Sequence, residues 1–341
     1  MRITFGLRYL RACFLRATGL LWLAKRRIAK RGVIVLTLHR VLDDDEFFQS
    51  SSLPAIIVRK RTFERLVAWA GDTFEILDLR KGLPDLQAKP ARPRVAITFD
   101  DGWLDNYELA EPIAARNKCP ITIFVCPGIT VNRFPFWPER VSLLSRDVPE
   151  AALHQIYPDL PNDSPDSWIE AVIGRMKQMS PEERDDYIRR LENATSAEQE
   201  CDHREPLNCA MTWEQIREIS QNSVGIGSHT FSHQILTAIS EDAGRDELTK
   251  SRCAIEENLR QPCMMLAYPN GNHNAGIREA ARHAGYTLAF ANKRGCWTRE
   301  ADLFQIPRIN IWEAKLTAPG GRFSRAMAEY YLFWQPSRTR I

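Results

Sequence analysis

The chain of 341 residues has little that would place it in a specialised class. None of its eight cysteines, Cys13, Cys119, Cys126, Cys201, Cys209, Cys253, Cys263 and Cys296, falls in a C-x-x-C pair. Several sit in apolar, strand-like runs such as residues 123–126 and 263–266. They read as buried reduced thiols, not as the disulfide framework of a small secreted protein. The net charge of +3 is too weak to argue for nucleic acid. There is no internal repeat and no low-complexity tract. What remains is ordinary: 44% apolar and 26% charged residues, enough to bury a full core in one large domain or two small ones.

Residues 1–32 lack acid altogether and hold nine Arg or Lys. Their uninterrupted apolar stretch, Gly19 to Ala24, is far short of the roughly 20 residues that span a bilayer. Arginines interrupt what would be the apolar region of a signal peptide. Phe5, Leu7, Leu10, Leu15, Leu20, Trp22 and Leu23 instead interleave with Arg8, Arg11, Arg16, Lys25, Arg26 and Arg27. Two readings stay open. One is a basic amphipathic helix lying on an anionic membrane. The other is a helix packed on the domain with a solvated basic face. The implied location is cytoplasmic, peripheral on the inner membrane face if the first reading holds.

Beyond residue 32, strand-like and helix-like segments alternate. Strands are expected at 33–38, 55–58, 74–77, 94–99, 121–126, 224–227, 264–268, 287–291 and 306–311. Helices are expected at 62–70, 106–116, 241–259 and 275–284, with another capped by Thr212. Residues from about 130 to 210 break the alternation and read as an inserted, mostly helical subdomain. In it, Ser180-Pro181-Glu182-Glu183 forms a capping box. The insertion opens on Phe134-Pro135-Phe136-Trp137, an aromatic group suited to floor a sugar site or to pack the insertion locally. Repeated strand–helix order implies a parallel sheet, and the number of units favours a barrel.

Two motifs carry chemistry. Thr98-Phe99-Asp100-Asp101-Gly102 puts adjacent carboxylates at a strand end, where parallel sheets form their sites. Gly102 permits a turn that lets both face one cleft, an arrangement unfavourable without a nearby cation. His229-Thr230-Phe231-Ser232-His233 sets two imidazoles four residues apart. On one helical turn they would share a side and bind one metal, with Ser228 or Thr230 fixing a tautomer. Together the motifs supply a carboxylate–His–His metal site and one carboxylate left over for acid–base work.

With the segments Ala267-Tyr268-Pro269-Asn270-Gly271 and Pro307-Arg308-Ile309, the chain resembles the polysaccharide deacetylase family (NodB-homology domain, carbohydrate esterase family 4) over about residues 33–312. The resemblance implies an α/β fold, a distorted (β/α) barrel, here with a helical insertion at about 130–210 in a deacetylase domain of residues 33–341. It also implies a divalent metal, usually zinc, and removal of N-acetyl groups from an N-acetylated polysaccharide, oligosaccharide or lipid-linked precursor. Residue by residue, Asp100 is the implied catalytic base, and Asp101, His229 and His233 are the implied metal ligands. The backbone N–H of Tyr268 is the implied oxyanion donor.

Two departures stand out. The arginine that orients the base in many members is missing from the third motif, and Arg308 is the substitute, either in that role or in a structural ion pair. No histidine follows His283 to protonate the leaving amine. Some members carry an early histidine, so His39 is nominated as general acid, with His273 in reserve; His154, His203 and His283 read as structural. Two other classes compete: a non-haem iron oxygenase using two histidines and one carboxylate, and a catalytically silent carbohydrate-binding module. The first leaves Asp100 without a task. The second has no use for a base.

Overall fold

The computed structural model describes residues 2–29, 32–82, 90–132, 136–158, 165–195, 208–222 and 224–334. Eleven strands run through the described residues: β1 Gly32–Leu38, β2 Arg40–Leu42, β3 Ile57–Arg59, β4 Glu75–Ile76, β5 Arg94–Phe99, β6 Ile121–Val125, β7 Val224–Ser228, β8 Met265–Ala267, β9 Leu288–Phe290, β10 Trp297–Thr298 and β11 Ile309–Asn310. Nine form one curled sheet in the order β10-β1-β5-β6-β7-β8-β9, with β11 beside β1 and β4 beside β5. All its pairings are parallel except β1 with β10. Ile306 bridges Phe290 and Ile309 pairs Leu36, so the segment 306–310 links the β9 side of the sheet to β1. The expected barrel is therefore present as a curled, distorted (β/α) sheet.

The strand sequences explain why both faces of the sheet are buried. On β1, Val33 and Val35 join the cluster inside the sheet, with Phe124, Phe290 and Trp297, while Ile34, Leu36 and Leu38 join the larger cluster under the surrounding helices. Both faces of the parallel strands are apolar, so they read as near-continuous hydrophobic runs. The helix over Glu241–Leu259 lies where the periodicity put it, started by Ser240 and ended by Arg260 in the left-handed region. Thr212 caps Trp213–Ser220 through the expected capping box. The strand expected at 55–58 is shorter: Pro54 opens a 3₁₀ turn, and pairing begins at Ile57.

Between β6 and β7 the chain forms the helices Trp137–Asp147, Glu150–Ile156, Pro165–Met176 and Pro181–Ala194. They enclose an apolar cluster of their own, including Val141, Leu144, Ile169, Ile173, Met176 and Leu191. Ser180 caps the last of them with its capping box. At the N-terminus, α1 (Arg2–Ala17) and α2 (Leu20–Ala29) pack on the C-terminal segment through Ala12, Leu15 and Leu21, against Ala326, Met327 and Tyr330. Among the described residues no helix is long and apolar enough to cross a membrane. Cys119, Cys126, Cys263 and Cys296 are buried free thiols as expected; Cys13 and Cys209 are half-buried and Cys253 is exposed. Cys201, His203, Phe134 and Pro135 lie outside the described residues.

Candidate active site

The site forms at the C-terminal ends of β1, β5 and β7. Asp100 leaves β5 with its N–H still donated to Leu38 O at 2.9 Å. Asp101 and Gly102 then turn in the left-handed region, φ 75° and 69°. A side chain at Gly102 would meet Val125 Cγ1 at 2.9 Å, so both backbone and space demand glycine there. The turn brings Asp100 and Asp101 into the same cleft, together with His39, His229, His233 and Arg308.

Arg308 grips Asp100 in a two-pronged ion pair, Nη1 to Oδ1 and Nη2 to Oδ2, both 2.7 Å, and both residues are buried. Burial opposes the charge on Asp100, but the Arg308 guanidinium, with His229 and His39 beside it, overcomes this and holds the carboxyl below its usual range. Asp101 is likewise buried and held low, by His233, His39 and His229.

Asp101 Oδ2 accepts from Trp103 Nε1 at 3.1 Å. Its other oxygen, Oδ1, is buried with no hydrogen-bond partner. It sits 3.5 Å from His229 Nε2 and 3.3 Å from His233 Nε2. His229 Nδ1 is 2.7 Å from the carbonyl oxygen of Ala267, so it carries the proton and donates. That leaves an Nε2 lone pair facing a carboxylate. Burial pushes the His229 pKa down to about 4, so a second ring proton does not relieve the clash near neutrality. Three ligand atoms, all within 4.8 Å of one another and short of a donor, fit a divalent cation between them.

Two sequence expectations about this motif need correction. His229 and His233 do not share a helical turn: residues 229–233 form a loop, with Thr230 and His233 at φ 66° and 59°. The tautomer is fixed by Ala267 O, not by Ser228 or Thr230; Ser228 Oγ instead accepts from Thr230 N at 3.2 Å. The loop is held from outside by Glu247, whose carboxylate accepts from both Ser232 N (2.8 Å) and Ser232 Oγ (2.6 Å). Glu247 escaped sequence reading because it lies mid-helix among other charges.

Tyr268 also needs correction. Its N–H is donated to Phe290 O at 3.0 Å, and its hydroxyl to Phe304 O. The oxyanion-donor reading at Tyr268 fails because the sheet ladder uses that N–H; the residues of the turn that line the cleft are Asn270 and Gly271. His273 stacks on Tyr268 and does not line the cleft. His39 does, with Nδ1 buried and unpartnered. Next to it, Arg40 is wholly buried, bonded to Asp105, Ser52 and Asn208. The cleft encloses about 400 Å³. Phe136 and Trp137 from the insertion wall it, Phe136 standing edge-on to the His233 ring at 5.1 Å.

Residues 87–289, more than half of the chain, match the polysaccharide deacetylase family. The chain belongs to that family. As a polysaccharide deacetylase it is a hydrolase of carbon–nitrogen bonds other than peptide bonds, which sets the oxygenase reading aside. It is 22% identical over 264 residues to YxkH of Bacillus subtilis (strain 168), a protein that carries a polysaccharide-deacetylase name, covering 76% of this chain and 68% of that one. Its fold is similar to that of the Streptococcus pyogenes deacetylase PplD, solved in complex with acetate: TM-score 0.55, 19% identity, 85% and 96% of the two chains. It is also similar to a de-N-acetylase from Aggregatibacter actinomycetemcomitans: TM-score 0.51, 16% identity, 88% and 99% of the two chains.

Proposed function

We propose that this deacetylase removes N-acetyl groups from an N-acetylated amino-sugar polymer or its lipid-linked precursor, with zinc held by Asp101, His229 and His233. The observation that carries the metal assignment is Asp101 Oδ1, buried without a donor between two imidazole nitrogens. When bound, a divalent cation supplies Lewis-acid polarisation of the acetamide carbonyl and makes a water more acidic.

The remaining chemistry belongs to the chain. Asp100, kept ionised and aimed by the Arg308 fork, takes the proton of the attacking water. His39 gives a proton to the departing amine nitrogen, since an amine leaves poorly as an anion. Asn270, at the cleft with a left-handed backbone, replaces Tyr268 as the candidate oxyanion contact. Phe136, buried against Trp103, backs the cleft, and the half-buried Trp137 offers an aromatic face to a sugar ring.

The test is acetate release from a panel of N-acetylhexosamine oligomers, with and without chelator, for the native enzyme and Asp100→Asn. Release that stops with chelator and returns with zinc is expected, as is an Asp100→Asn enzyme that keeps its metal and loses turnover. Chelator-resistant release, or an active Asp100→Asn, overturns the reading.

We also propose peripheral contact between residues 1–32 and the inner face of a membrane, from a cytoplasmic location. It is supported by the outward face of α1 and α2, which presents Leu7, Leu10, Phe14, Trp22 and Leu23 beside exposed arginines.

A further inference from the structure

One cation in the wall of the catalytic cleft has no task in the chemistry above. Lys177 follows the Pro165–Met176 helix of the insertion and lines the same cleft as Asp100, Asp101 and the two histidines. Its Nζ donates to Asn270 Oδ1 at 2.8 Å, the turn residue on the opposite wall. Asn270 is a neutral acceptor and uses one of three ammonium donors.

Among the described residues, no carboxylate forms an ion pair with Lys177, and Asp100, Asp101 and Glu139 of the cleft are engaged elsewhere. Asp100 sits in the Arg308 fork. Asp101 faces Trp103 and the two histidines. Glu139 accepts from Ser52 Oγ at 2.5 Å. Glu170, seven residues earlier, also lines the cleft but is exposed and forms no ion pair with Lys177. Burial pushes the Lys177 pKa down, with Asp101 and Glu170 pulling it partly back. A half-buried ammonium in the cleft that donates to one amide and is paired with no carboxylate keeps donors free for another partner. A charge-assisted bond to an anion would complete it.

We propose that Lys177 is a specificity-determining residue that binds an anionic group, a carboxylate or a phosphate, carried by the amino-sugar substrate. The inference rests on the deacetylase reading and deepens it: the substrate is an acidic N-acetylated saccharide, not a neutral one. The anion has two chemical sources. One is a uronic acid next to the N-acetylated sugar in a polymer. The other is the glycosyl phosphate of a precursor. Because Asn270 fixes Nζ across the cleft, the bound anion would also set the register in which the sugar meets Asp100.

The experiment measures acetate release by the zinc-loaded full-length enzyme on three substrates. They are a neutral N-acetylglucosamine oligomer, an alternating N-acetylglucosamine–glucuronic acid oligomer, and N-acetylglucosamine 1-phosphate. The native enzyme is expected to favour at least one anionic substrate by about 10- to 100-fold in kcat/KM; the better one identifies the source of the anion. Lys177→Met should erase that preference through KM, lower kcat/KM on the neutral substrate by a clearly smaller factor than on the anionic one, and be rescued in part by Lys177→Arg. Equal kcat/KM on neutral and anionic substrates in the native enzyme overturns the inference and leaves the deacetylase reading intact. So does a Lys177→Met enzyme that loses the same factor on all three, which would mean that the lysine only braces Asn270. No acetate from any substrate overturns both.

Discussion

Asp100 is a buried carboxylate that stays ionised because one guanidinium faces it on two points. Remove that guanidinium and burial dominates, so the carboxyl pKa rises. A base with a raised pKa is protonated over a wider acid range. Arg308→Met should therefore move the acid limb of kcat/KM to higher pH, and Arg308→Lys should move it less, since a point charge keeps the attraction but not the fork. A limb that stays in place would show that Arg308 is only a structural partner. His39→Ala tests the other proton. Turnover on an N-acetyl sugar should fall by about 10²–10⁴-fold with metal content kept, and less on an activated aryl acetate whose leaving group needs no proton. An equal loss on both would make His39 structural. At this scale much was legible in the sequence, because the residue types that can do this chemistry are few: the carboxylates, the imidazoles and Arg308 all reach one cleft. Tyr268 was misread because a backbone N–H is spent or free according to strand register, which no motif states. Lys177 and Glu247 look like surface charges until the fold delivers them.

Among the elements, the long parallel strands and the Glu241–Leu259 helix followed from periodicity and caps. The short pairings β2 with β3 and β1 with β10 did not, since two or three residues carry no period. The spacing of His229 and His233 fitted a helical turn equally well and proved to be a loop, with two residues in the left-handed region that each cost free energy. Something must hold such a loop, and the described contacts point to Glu247 on the next helix, with Gly128 N donating to Phe231 O at 2.8 Å. Glu247→Ala removes both bonds to Ser232. Metal affinity, measured by competition with a chromogenic chelator, should fall by about 10- to 100-fold while helix content is kept. Glu247→Gln, which keeps one carbonyl acceptor, should lose less. Native affinity in both variants would release Glu247 from this role.

The whole molecule combines a curled sheet, an insertion with its own apolar cluster, and two N-terminal helices docked on the C-terminal segment. The sequence left two fates open for residues 1–32, and the fold supplies a surface compatible with both at once. One side of α1 and α2 is buried through Ala12, Leu15, Leu21, Ala24 and Ile28. The other leaves Leu7, Leu10, Phe14 and Trp22 at 62%, 63%, 64% and 57% exposure, more than isolated surface apolar residues need. Leu7, Leu10 and Phe14 recur at helical spacing, so they form one stripe. Arg8, Arg11, Arg26 and Arg27 are exposed on the same helices, Arg26 lying over the Trp22 ring at 4.1 Å. Apolar side chains, an indole and unpaired acid-free basic charge together match the headgroup layer of an anionic bilayer. The full-length protein should co-sediment with phosphatidylglycerol-containing vesicles, weakly or not at all with neutral ones, and the bound fraction should fall as salt is raised. The two contributions are separable. Replacing Leu10, Phe14 and Trp22 by serine removes the inserted apolar area and should abolish binding at any salt. Replacing Arg11, Arg26 and Arg27 by glutamine removes roughly 1 kcal/mol per charge near the surface and should flatten the salt dependence. Both variants should release acetate from a soluble substrate at the native rate, because neither touches the cleft. Vesicle binding that ignores lipid charge, or that survives the triple serine replacement, would leave these helices as a structural collar only.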